Sequence, residues 1–539
     1  MFRRARRTDP QTQGTQGTQS SGTATGSSGS PGVDASGQAG LRTEETTPQG
    51  APTLTLPPVP SVAHEATRLA EWVEPKATSL VELRARAEDE TLDSIFKKHL
   101  ADFRTAFAEL RKQAPSVVFF GGARLQPGDP YYQLAREFGA ELAPRGIPPK
   151  SGAGPGAMHI APLGFIETRD QLPDRMVQSL IAGVSRSARL DDQSTLGFNI
   201  HLPAEQKVSP AIENAHEIQL FAFRKFALYE NVRGIVVFPG GFGTLDELLE
   251  VLILAREGKT RDPIVLAGKE YWEPILDAWK SAAKRNGQDL VAGLLDDVLV
   301  TNDAKQAMDF VEGRKDVRAF ESEPDDLYKR MVREIKLARY VVTRQEKAVT
   351  FLGGAQLKHD DPALALGQLI ANYAADQGAP VRVGDDGNGA KAVAEGAGNV
   401  QRVRWDPKAE GSTIRKKHAR QDVNDVTFAE RIPHKETLLR NSSAYVVLPD
   451  SARGKDELAT VLCQIQTGKL PRRPLLLVDS TYWKPIVDSW ERAMVGENHA
   501  YIAPEDMELL RFVDSLEQAK EALGGTLNGA PSGATTPTA

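Results

Sequence analysis

The chain repeats one sequence pattern after 210 residues. The stretch VVFPGGFGTLDELLEVLILAREGK begins at residue 236, and VVLPDSARGKDELATVLCQIQTGK begins at residue 446 in the same rhythm. Pro239 is matched by Pro449 and Glu247 by Glu457. A second pair of segments, FFGGARLQPGDP and FLGGAQLKHDDP, extends the similarity toward the N-terminal side of each copy. The chain is therefore predicted to contain one domain twice, and its 539 residues allow each copy a core of its own.

Both copies alternate short apolar runs with helical stretches of ten or more residues. SVVFFGG, GIVVFPGG and AVTFLGG are examples of runs that end in glycine. This alternation is typical of βαβ units with a parallel sheet. We therefore predict an α/β protein with a Rossmann-like, doubly wound parallel sheet in each of two tandem copies, preceded by an N-terminal helical segment.

Changes in composition divide the chain into six segments. Residues 1–60 are rich in Gly, Ser, Thr, Gln and Pro and poor in large apolar side chains, so they are predicted to be a disordered tail. Residues 61–114 are predicted to be a helical collar and residues 115–320 the first copy of the repeated domain. A helical linker at 321–345 leads to the second copy at 346–523, and residues 524–539 are predicted to be a second disordered tail.

Composition also narrows the class of protein. A formal net charge of -6 argues against a nucleic-acid binder. The apolar runs stay below the ~20 residues that cross a bilayer. The single cysteine, Cys463, suits a reducing compartment and predicts a cytoplasmic protein, in which this thiol is buried and structural. The arginine-rich start MFRRARR resembles part of a transit peptide, but no amphipathic periodicity follows it.

A first glycine-rich turn, SGAGPGAM, lies between a predicted strand and a predicted helix. Gly152, Gly154 and Gly156 would let the backbone approach a ligand closely and direct amides at an anion. A plain tight turn explains the same glycines, because the acidic residue of a dinucleotide fingerprint does not follow at its spacing. The IPPK segment just before this turn is a poor central strand, since proline cannot donate to the ladder.

A second glycine cluster stands at the carboxyl end of the strand near residue 236. Gly240, Gly241 and Gly243 precede a helix that is predicted to begin near Thr244, and a helix N-terminus with bare amides suits a phosphate. Two interpretations of Glu247 are open. The spacing Thr244-x-x-Glu247 fits a capping box, and a carboxylate at this place also fits catalysis.

An arginine lies in an apolar helical stripe upstream of this cluster. Phe223, Arg224 and Leu228 share one helical face. A guanidinium there has to be paired or to bind an anion, because burying an unpaired charge is costly, unless its side chain extends past the stripe to water. Arg224, Glu247 and the glycines together predict a site for a phosphorylated sugar or a nucleotide.

These motifs resemble those of a known family. FRKFALYENVRGIVVFPGGFGTLDE resembles the RK…PGGxGTxxE signature of the LOG family, the phosphoribohydrolases that release a free base from nucleoside 5′-monophosphates. SGAGPGAM is similar to its GGGPGxM loop, and STLGFNIHLPAEQKVSP to the LGLNIxLPxEQ segment of its longer members. The resemblance is close over about residues 115–300 and faint over 346–500. It implies hydrolysis of the N-glycosidic bond to free base and ribose 5-phosphate, with no metal and no organic cofactor.

The resemblance also implies roles for individual residues. Arg224 and Glu247 would be the catalytic pair. Lys225 would lie either at the pocket mouth or on the solvated surface. A nucleotide-binding sensor or carrier without turnover is the alternative function. The residues implied in substrate binding are Gly152, Gly154, Gly156, Met158, Lys225, Gly240, Gly241, Gly243 and Thr244.

The first copy departs from the family pattern just after SGAGPGAM. Its MHIAP segment places His159 and Pro162 where longer members have Glu and Asn. Pro162 is predicted to disturb the first turns of its helix, and His159 to lie on the helix surface, with a contact to the base as the alternative. The identity of the base is left open.

The second copy has lost the features that favour a phosphate. His434 stands in place of Arg224, and PGGFGT becomes PDSARG, which brings in Asp450. Asp385 and Asp386 in its other loop would also repel a dianion. This copy is predicted to be non-catalytic and retained for packing or for sensing another ligand.

Members of the family pack as dimers through helices near the active site. The resemblance therefore predicts a homodimer of chains, or an internal pseudo-dimer in which the second copy takes the partner's place. The expected small-molecule partner is a nucleoside monophosphate. Neither nucleic acid nor membrane is an expected partner.

Overall fold

The computed structural model describes residues 92–110, 113–173, 194–200, 208–218, 221–284, 295, 297–313, 324–384, 387–409, 413–417, 420–449, 452–495 and 500–527. All of them fall within one compact unit, Leu54–Ala539. The predicted first tail, the start of the collar and the three aspartates named above in the second copy lie outside the described residues. The described part of the chain contains no helix that is both long and apolar enough to cross a membrane.

The strands in chain order are β1 (Ser116–Phe120), β2 (Pro149–Ser151), β3 (Leu196–Asn199), β4 (Asn214–Glu217), β5 (Val232–Val237), β6 (Ile264–Ala267), β7 (Val298–Thr301), β8 (Ala348–Leu352), β9 (Val381–Val383), β10 (Val400–Trp405), β11 (Thr413–Lys417), β12 (Arg420–Phe428), β13 (Ser442–Val447), β14 (Leu475–Val478) and β15 (Leu510–Val513).

The helices are α1 (Leu92–Leu110), α2 (Pro130–Leu142), α3 (Ala157–Arg169), α4 (Phe221–Tyr229), α5 (Phe242–Arg256), α6 (Lys269–Ala283), α7 (Ala304–Gly313), α8 (Pro324–Val342), α9 (Pro362–Asp376), α10 (Asn388–Ala397), α11 (Arg431–Leu439), α12 (Ala452–Gln466), α13 (Ser480–Met494), α14 (Pro504–Met507) and α15 (Leu516–Leu527), with a 3₁₀ turn at Ala143–Arg145. The last helix extends past residue 524, where the second tail was predicted to begin.

Each copy contains one sheet. The first has seven strands in the order β4-β3-β2-β1-β5-β6-β7, all paired in parallel. The second has eight strands in the order β11-β12-β10-β9-β8-β13-β14-β15, and only β11 runs antiparallel to its neighbour. The strand order reverses at β1 and β5 in the first copy and at β8 and β13 in the second. The predicted fold is confirmed, and the reversals mark the places where open α/β sheets bind ligands.

The IPPK segment does form a central strand, contrary to the sequence-based expectation. Pro149 is paired with Val117 as the first residue of β2, a place where a strand tolerates proline. Lys150 follows it and is fully buried, with its ammonium group bonded to the carbonyls of Ala227 and Glu230 at the end of α4. Burial lowers the pKa of Lys150 to about 7.

A buried basic residue also bonds to the C-terminal carbonyls of the equivalent helix in the second copy. Arg382 on β9 donates to the carbonyls of Leu438 and Arg440 at the end of α11. Cations are favourable at helix C-termini, where unpaired carbonyls carry partial negative charge. Both copies therefore fix the helix before β5 or β13 to the middle of their sheet.

Pro162 does not disturb its helix, because the lost hydrogen bond is replaced. α3 continues from Ala157 through Pro162 to Arg169. Proline has no N–H to donate to the carbonyl four residues earlier, which belongs to Met158. The hydroxyl of Ser151 donates to that carbonyl instead, at 2.8 Å.

The two copies pack against each other through equivalent helices. α5 contacts α12, α6 contacts α13, and α4 contacts α11. Phe242 of α5 meets Trp490 of α13 edge to face, with ring centroids 6.4 Å apart. One hydrophobic core runs from the first copy into the second across these helices, and a separate core lies under the outer part of the second copy.

Candidate active site

The first copy brings Arg224 and Glu247 together on neighbouring helices. Arg224 Nη1 lies 3.8 Å from Glu247 Oε1, and the side chains are 11% and 9% exposed. Arg224 Nε donates to the carbonyl of Phe198 in β3 at 2.9 Å, and this hydrogen bond fixes the position of the guanidinium. The arginine is therefore held inside the fold beside a carboxylate.

Tyr229 completes this arrangement and was not predicted from the sequence. Its hydroxyl donates to Glu247 Oε2 at 2.5 Å. Burial raises the pKa of Glu247, and the nearby charges of Lys225 and Arg224 offset only part of that effect. Glu247 is thus a carboxylate with increased proton affinity, oriented by a tyrosine on one oxygen and an arginine near the other.

The capping-box interpretation of Glu247 is wrong. α5 begins at Phe242, with Gly241 as its N-cap, so Thr244 is the third helical residue and Glu247 the sixth. A capping box requires the glutamate at the third helical position. The carboxylate of Glu247 instead faces Tyr229 and Arg224.

Three glycine-rich loops meet at Gly122, at the carboxyl end of β1. The Gly122 amide donates to the carbonyl of Pro239 at 2.9 Å, and its carbonyl accepts from the amide of Ala157 at 3.1 Å. A Cβ at Gly240 would lie 2.1 Å from Thr244 Oγ1 and 2.7 Å from the Gly122 amide nitrogen. The loops are packed too closely for side chains, so their backbone forms the surface beside the N-terminus of α5.

The SGAGPGAM turn seats the arginine. A Cβ at Gly152 would lie 2.2 Å from Arg224 Nη2 and 2.7 Å from Met158 Sδ, so only glycine leaves room for the guanidinium. Gly156 has a φ of 67°, and a Cβ there would lie 2.1 Å from the Gly122 carbonyl oxygen. Gly154 is buried within the same turn.

His159, in the helix that follows this turn, is buried instead of lying on its surface. Its Nδ1 lies 2.9 Å from Ser209 Oγ, and the residue is 7% exposed. Ser209 in turn donates its backbone amide to the carbonyl of Ala153 in the SGAGPGAM turn. His159 thus helps to link the turn to the segment after β3.

Two of the predicted binding residues face the second copy. Lys225 is 2% exposed, and its ammonium lies 2.8 Å from Asp246 Oδ2 and 2.6 Å from Glu250 Oε2, so it is neither at the pocket mouth nor in solvent. A Cβ at Gly243 would meet only Cys463 Sγ, at 3.6 Å. Cys463 is buried, as predicted.

Lys225 belongs to an interface charge cluster that joins the two copies, formed by Lys225, Asp246, Glu250, Lys435 and Asp456. Lys435 Nζ lies 2.7 Å from Glu250, 2.8 Å from Asp456 and 3.4 Å from Asp246. The three carboxylates approach within 4.8 Å of one another. Two ammonium groups between them account for this proximity through ion pairs.

The second copy has different contacts at the positions that correspond to Arg224 and Glu247. His434 Nε2 lies 2.9 Å from the carbonyl of Val403, and its Nδ1 faces Arg431 Nη1 at 3.3 Å. Burial lowers the pKa of His434 well below its ordinary value, so the ring is neutral. Arg431 Nη2 lies 3.3 Å from Glu457 Oε1. Glu457 therefore does face an arginine, contrary to the expectation from the aligned positions, and that arginine comes from one turn earlier in the helix.

Comparisons with known proteins agree with the repeat. A family model described as "Possible lysine decarboxylase", which represents the LOG family, matches residues 181–310 and 390–523. No curated protein matches the chain. The X-ray structure of TM1055 is similar at 16% identity and a TM-score of 0.24, over 37% of this chain and 99% of that one. The molybdenum cofactor binding protein of Rippkaea orientalis has 16% identity and a TM-score of 0.26, over 37% and 97%.

The family assignment rests on two observations. The same model matches both copies, and the first copy carries the PGGxGTxxE signature at the carboxyl end of β5. A domain of this family indicates a nucleotide-related hydrolase or binding role. Both copies of the chain therefore match the LOG family model, with the signature intact in the first copy and lost from the second.

Proposed function

We propose that the first copy hydrolyses the N-glycosidic bond of nucleoside 5′-monophosphates and releases free base and ribose 5-phosphate. The observation that carries this proposal is the environment of Glu247. This buried carboxylate is oriented by Tyr229 and faces Arg224, whose guanidinium packs against Gly152 of the first glycine-rich turn. A protein that only binds nucleotides does not need a carboxylate positioned in this way.

The chemistry follows from charge development on the ribose. When the bond between C1′ and the base nitrogen breaks, its electron pair leaves with the base and positive charge develops on the sugar. Glu247 stabilises that charge and orients a water whose oxygen bonds to C1′. A proton from this water ends on the base, so one water is consumed for each base released.

Arg224 and the loops around Gly122 serve substrate binding. The guanidinium offers donors to phosphate or ribose oxygens, and Phe198 and Gly152 fix its position. The N-terminus of α5 directs its dipole at the same region, which favours the 5′-phosphate. Holding the phosphate places C1′ in register with Glu247.

The name of the family model, possible lysine decarboxylase, gains no support from Lys225. Burial lowers the pKa of Lys225, but Asp246 and Glu250 raise it more, so the pKa lies well above its ordinary value. A lysine that forms a Schiff base has to lose its proton. Lys225 is instead held as an ammonium ion by two carboxylates.

The test is incubation of the full chain with AMP, GMP, IMP, CMP and UMP, followed by chromatographic assay of free base and ribose 5-phosphate. We expect equal amounts of both products from at least one monophosphate. The matching nucleosides are the control, because they lack the phosphate that the loops bind. Saturable binding without any release of base would favour the sensor or carrier instead.

A further inference from the structure

A short segment of the second copy, Ala500–Ile502, lies against the loops of the first copy's site. Tyr501 is 6% exposed and Ile502 fully buried, and both belong to the core that the two copies share. The hydrogen bonds from the Tyr501 and Ile502 amides to the Met494 carbonyl, at 2.8 and 3.3 Å, fix the segment to the end of α13. The segment is thus a fixed part of the second copy that reaches the first.

Its side chains fill the space that two glycines leave open. A Cβ at Gly122 would lie 2.7 Å from Tyr501 Cδ1, and a Cβ at Gly241 would lie 2.7 Å from Ile502 Cγ2. Gly122 joins the three glycine loops, and Gly241 is the N-cap of α5. Tyr501 and Ile502 therefore touch the two backbone positions on which the shape of the loops depends.

Further contacts connect the segment to the same loops. Arg124 Nη1 donates to the carbonyl of Ala500 at 3.3 Å. The ring of Tyr501 packs edge to face on Tyr271, with centroids 5.7 Å apart, and the Tyr271 hydroxyl donates to the carbonyl of Gly240. Contacts from the second copy thus reach the loops directly and through Tyr271.

We propose that Tyr501 and Ile502 are positioning residues of the first copy's site. Glycines have no side chains with which to fix a loop, and their backbone is the most flexible of any residue. The second copy holds the loops in place with Tyr501 and Ile502, which we call the rear wall. The second copy thereby has a role in binding phosphate although its own signature is lost. The inference rests on the proposed function for the nature of the ligand, a ribose phosphate.

The experiment compares full-length variants in steady-state kinetics. For Tyr501→Ala we expect KM for the best monophosphate to rise about tenfold, with kcat within about twofold, because the loops bind ground state and transition state alike. Tyr501→Phe keeps the ring and loses only the interaction of its hydroxyl with Asp129, so its KM should stay much closer to that of the unaltered chain than the KM of Tyr501→Ala does. Tyr373→Ala is the matched control, since it truncates a ring packed on the second copy's separate core.

A binding measurement separates this inference from the proposed function. Calorimetric titration with ribose 5-phosphate should show weaker binding by Tyr501→Ala than by the unaltered chain, in samples shown by melting curves to be folded. If the alanine variant does not fold, Tyr501→Leu, which keeps an apolar side chain without the ring, serves the same comparison.

Equal affinity of the Tyr501 variant and the unaltered chain would overturn the inference, as would an equal loss in Tyr373→Ala. Binding without any hydrolysis by the unaltered chain would overturn the proposed activity, and the comparison of Tyr501 variants would still decide the inference. Absence of ribose 5-phosphate binding by the unaltered chain would overturn both.

Discussion

Glu247 and Glu457 occupy equivalent positions with different surroundings, so the same substitution tests both. We expect Glu247→Gln to lower kcat about a hundredfold or more, because it removes the charge that stabilises the developing cation, roughly 3 kcal/mol of barrier. Glu457→Gln should leave kcat nearly unchanged. The measurement is kcat on the best monophosphate, together with melting curves for both variants.

Two outcomes would contradict this assignment of roles. Small and equal effects at both positions would mean that Glu247 is not catalytic. A large effect of Glu457→Gln alone would place the reaction in the second copy, although its glutamate is paired with Arg431.

The hydroxyl of Tyr229 contributes to the pKa of Glu247. Its hydrogen bond lowers the carboxyl pKa against the larger, raising effect of burial. Tyr229→Phe removes that bond, so the pKa of Glu247 should rise further. The acidic limb of kcat/KM should then move to higher pH, because more of Glu247 is protonated and inactive at a given pH. The pH profile of the variant measures the shift.

Tyr445→Phe provides the control for this profile. Tyr445 is another buried tyrosine, and its hydroxyl donates to the carbonyl of Leu439 in the second copy at 2.8 Å. Its removal should not move the acidic limb. An unmoved limb in Tyr229→Phe would show that a group other than Glu247 titrates there.

At the residue scale, the sequence could suggest candidates that lie in a contiguous motif. Arg224, Glu247 and Gly152 were proposed because each belongs to a motif that is continuous along the chain. Tyr229 and Tyr501 were not, because each acts on a partner that is distant in the chain. A buried tyrosine hydroxyl needs a hydrogen-bond partner, and the sequence does not say which one.

At the scale of elements, α5 and α12 pack around buried charges from both copies. Lys435→Met removes an ammonium that lies among three carboxylates, and breaking a buried ion pair on one side costs about 3–5 kcal/mol. We expect a loss of stability of that order in chemical denaturation. The expected cost reflects the carboxylates left without their cation.

Lys484→Met is the matched control on α13. Lys484 pairs with Asp488 at 3.0 Å, but its side chain is 63% exposed, and exposed pairs contribute little. Its denaturation midpoint should stay close to that of the unaltered chain. Similar midpoints for the Lys435 and Lys484 variants would show that the buried cluster does not stabilise the contact between copies.

Elements were predicted best where a single segment determines them. Apolar runs identified β1, β5 and β8, and helical periodicity identified the helices between them. The misjudged elements depended on groups outside the element itself: the carbonyl of Met158 is satisfied by Ser151, which precedes α3 and keeps it intact around Pro162. Lys225 appeared exposed because the copy that covers it lies two hundred residues later.

For the whole molecule, the contact between α5 and α12 bears on assembly. α5 and α6 of the first copy are covered by α12 and α13 of the second copy of the same chain, and the family resemblance predicts that domains pair through helices near the site. We therefore favour the internal pseudo-dimer over the homodimer of chains. Sedimentation should give a species of 58.6 kDa across protein concentrations, and a stable species of twice that mass would support the homodimer.

The sequence predicted the two-copy fold but not the relation between the copies. Repetition with a constant offset is visible in the sequence itself. The family resemblance added the expectation that two such domains pair through helices near the site. How the two copies pack on each other depends on side chains such as Lys435 and Tyr501, whose contacts in the other copy are determined by the tertiary structure.

The position of Tyr501 within the same polypeptide has a consequence for how the protein responds to dilution. In a dimer of separate chains, a wall supplied by the neighbour would be lost as the concentration fell below the dissociation constant. A covalent linker instead holds the wall at an effective concentration on the order of millimolar, independent of how much protein is present. Specific activity should therefore be the same in a scarce and in an abundant preparation, and each chain should take up one substrate molecule where a symmetric pair of domains would take up two.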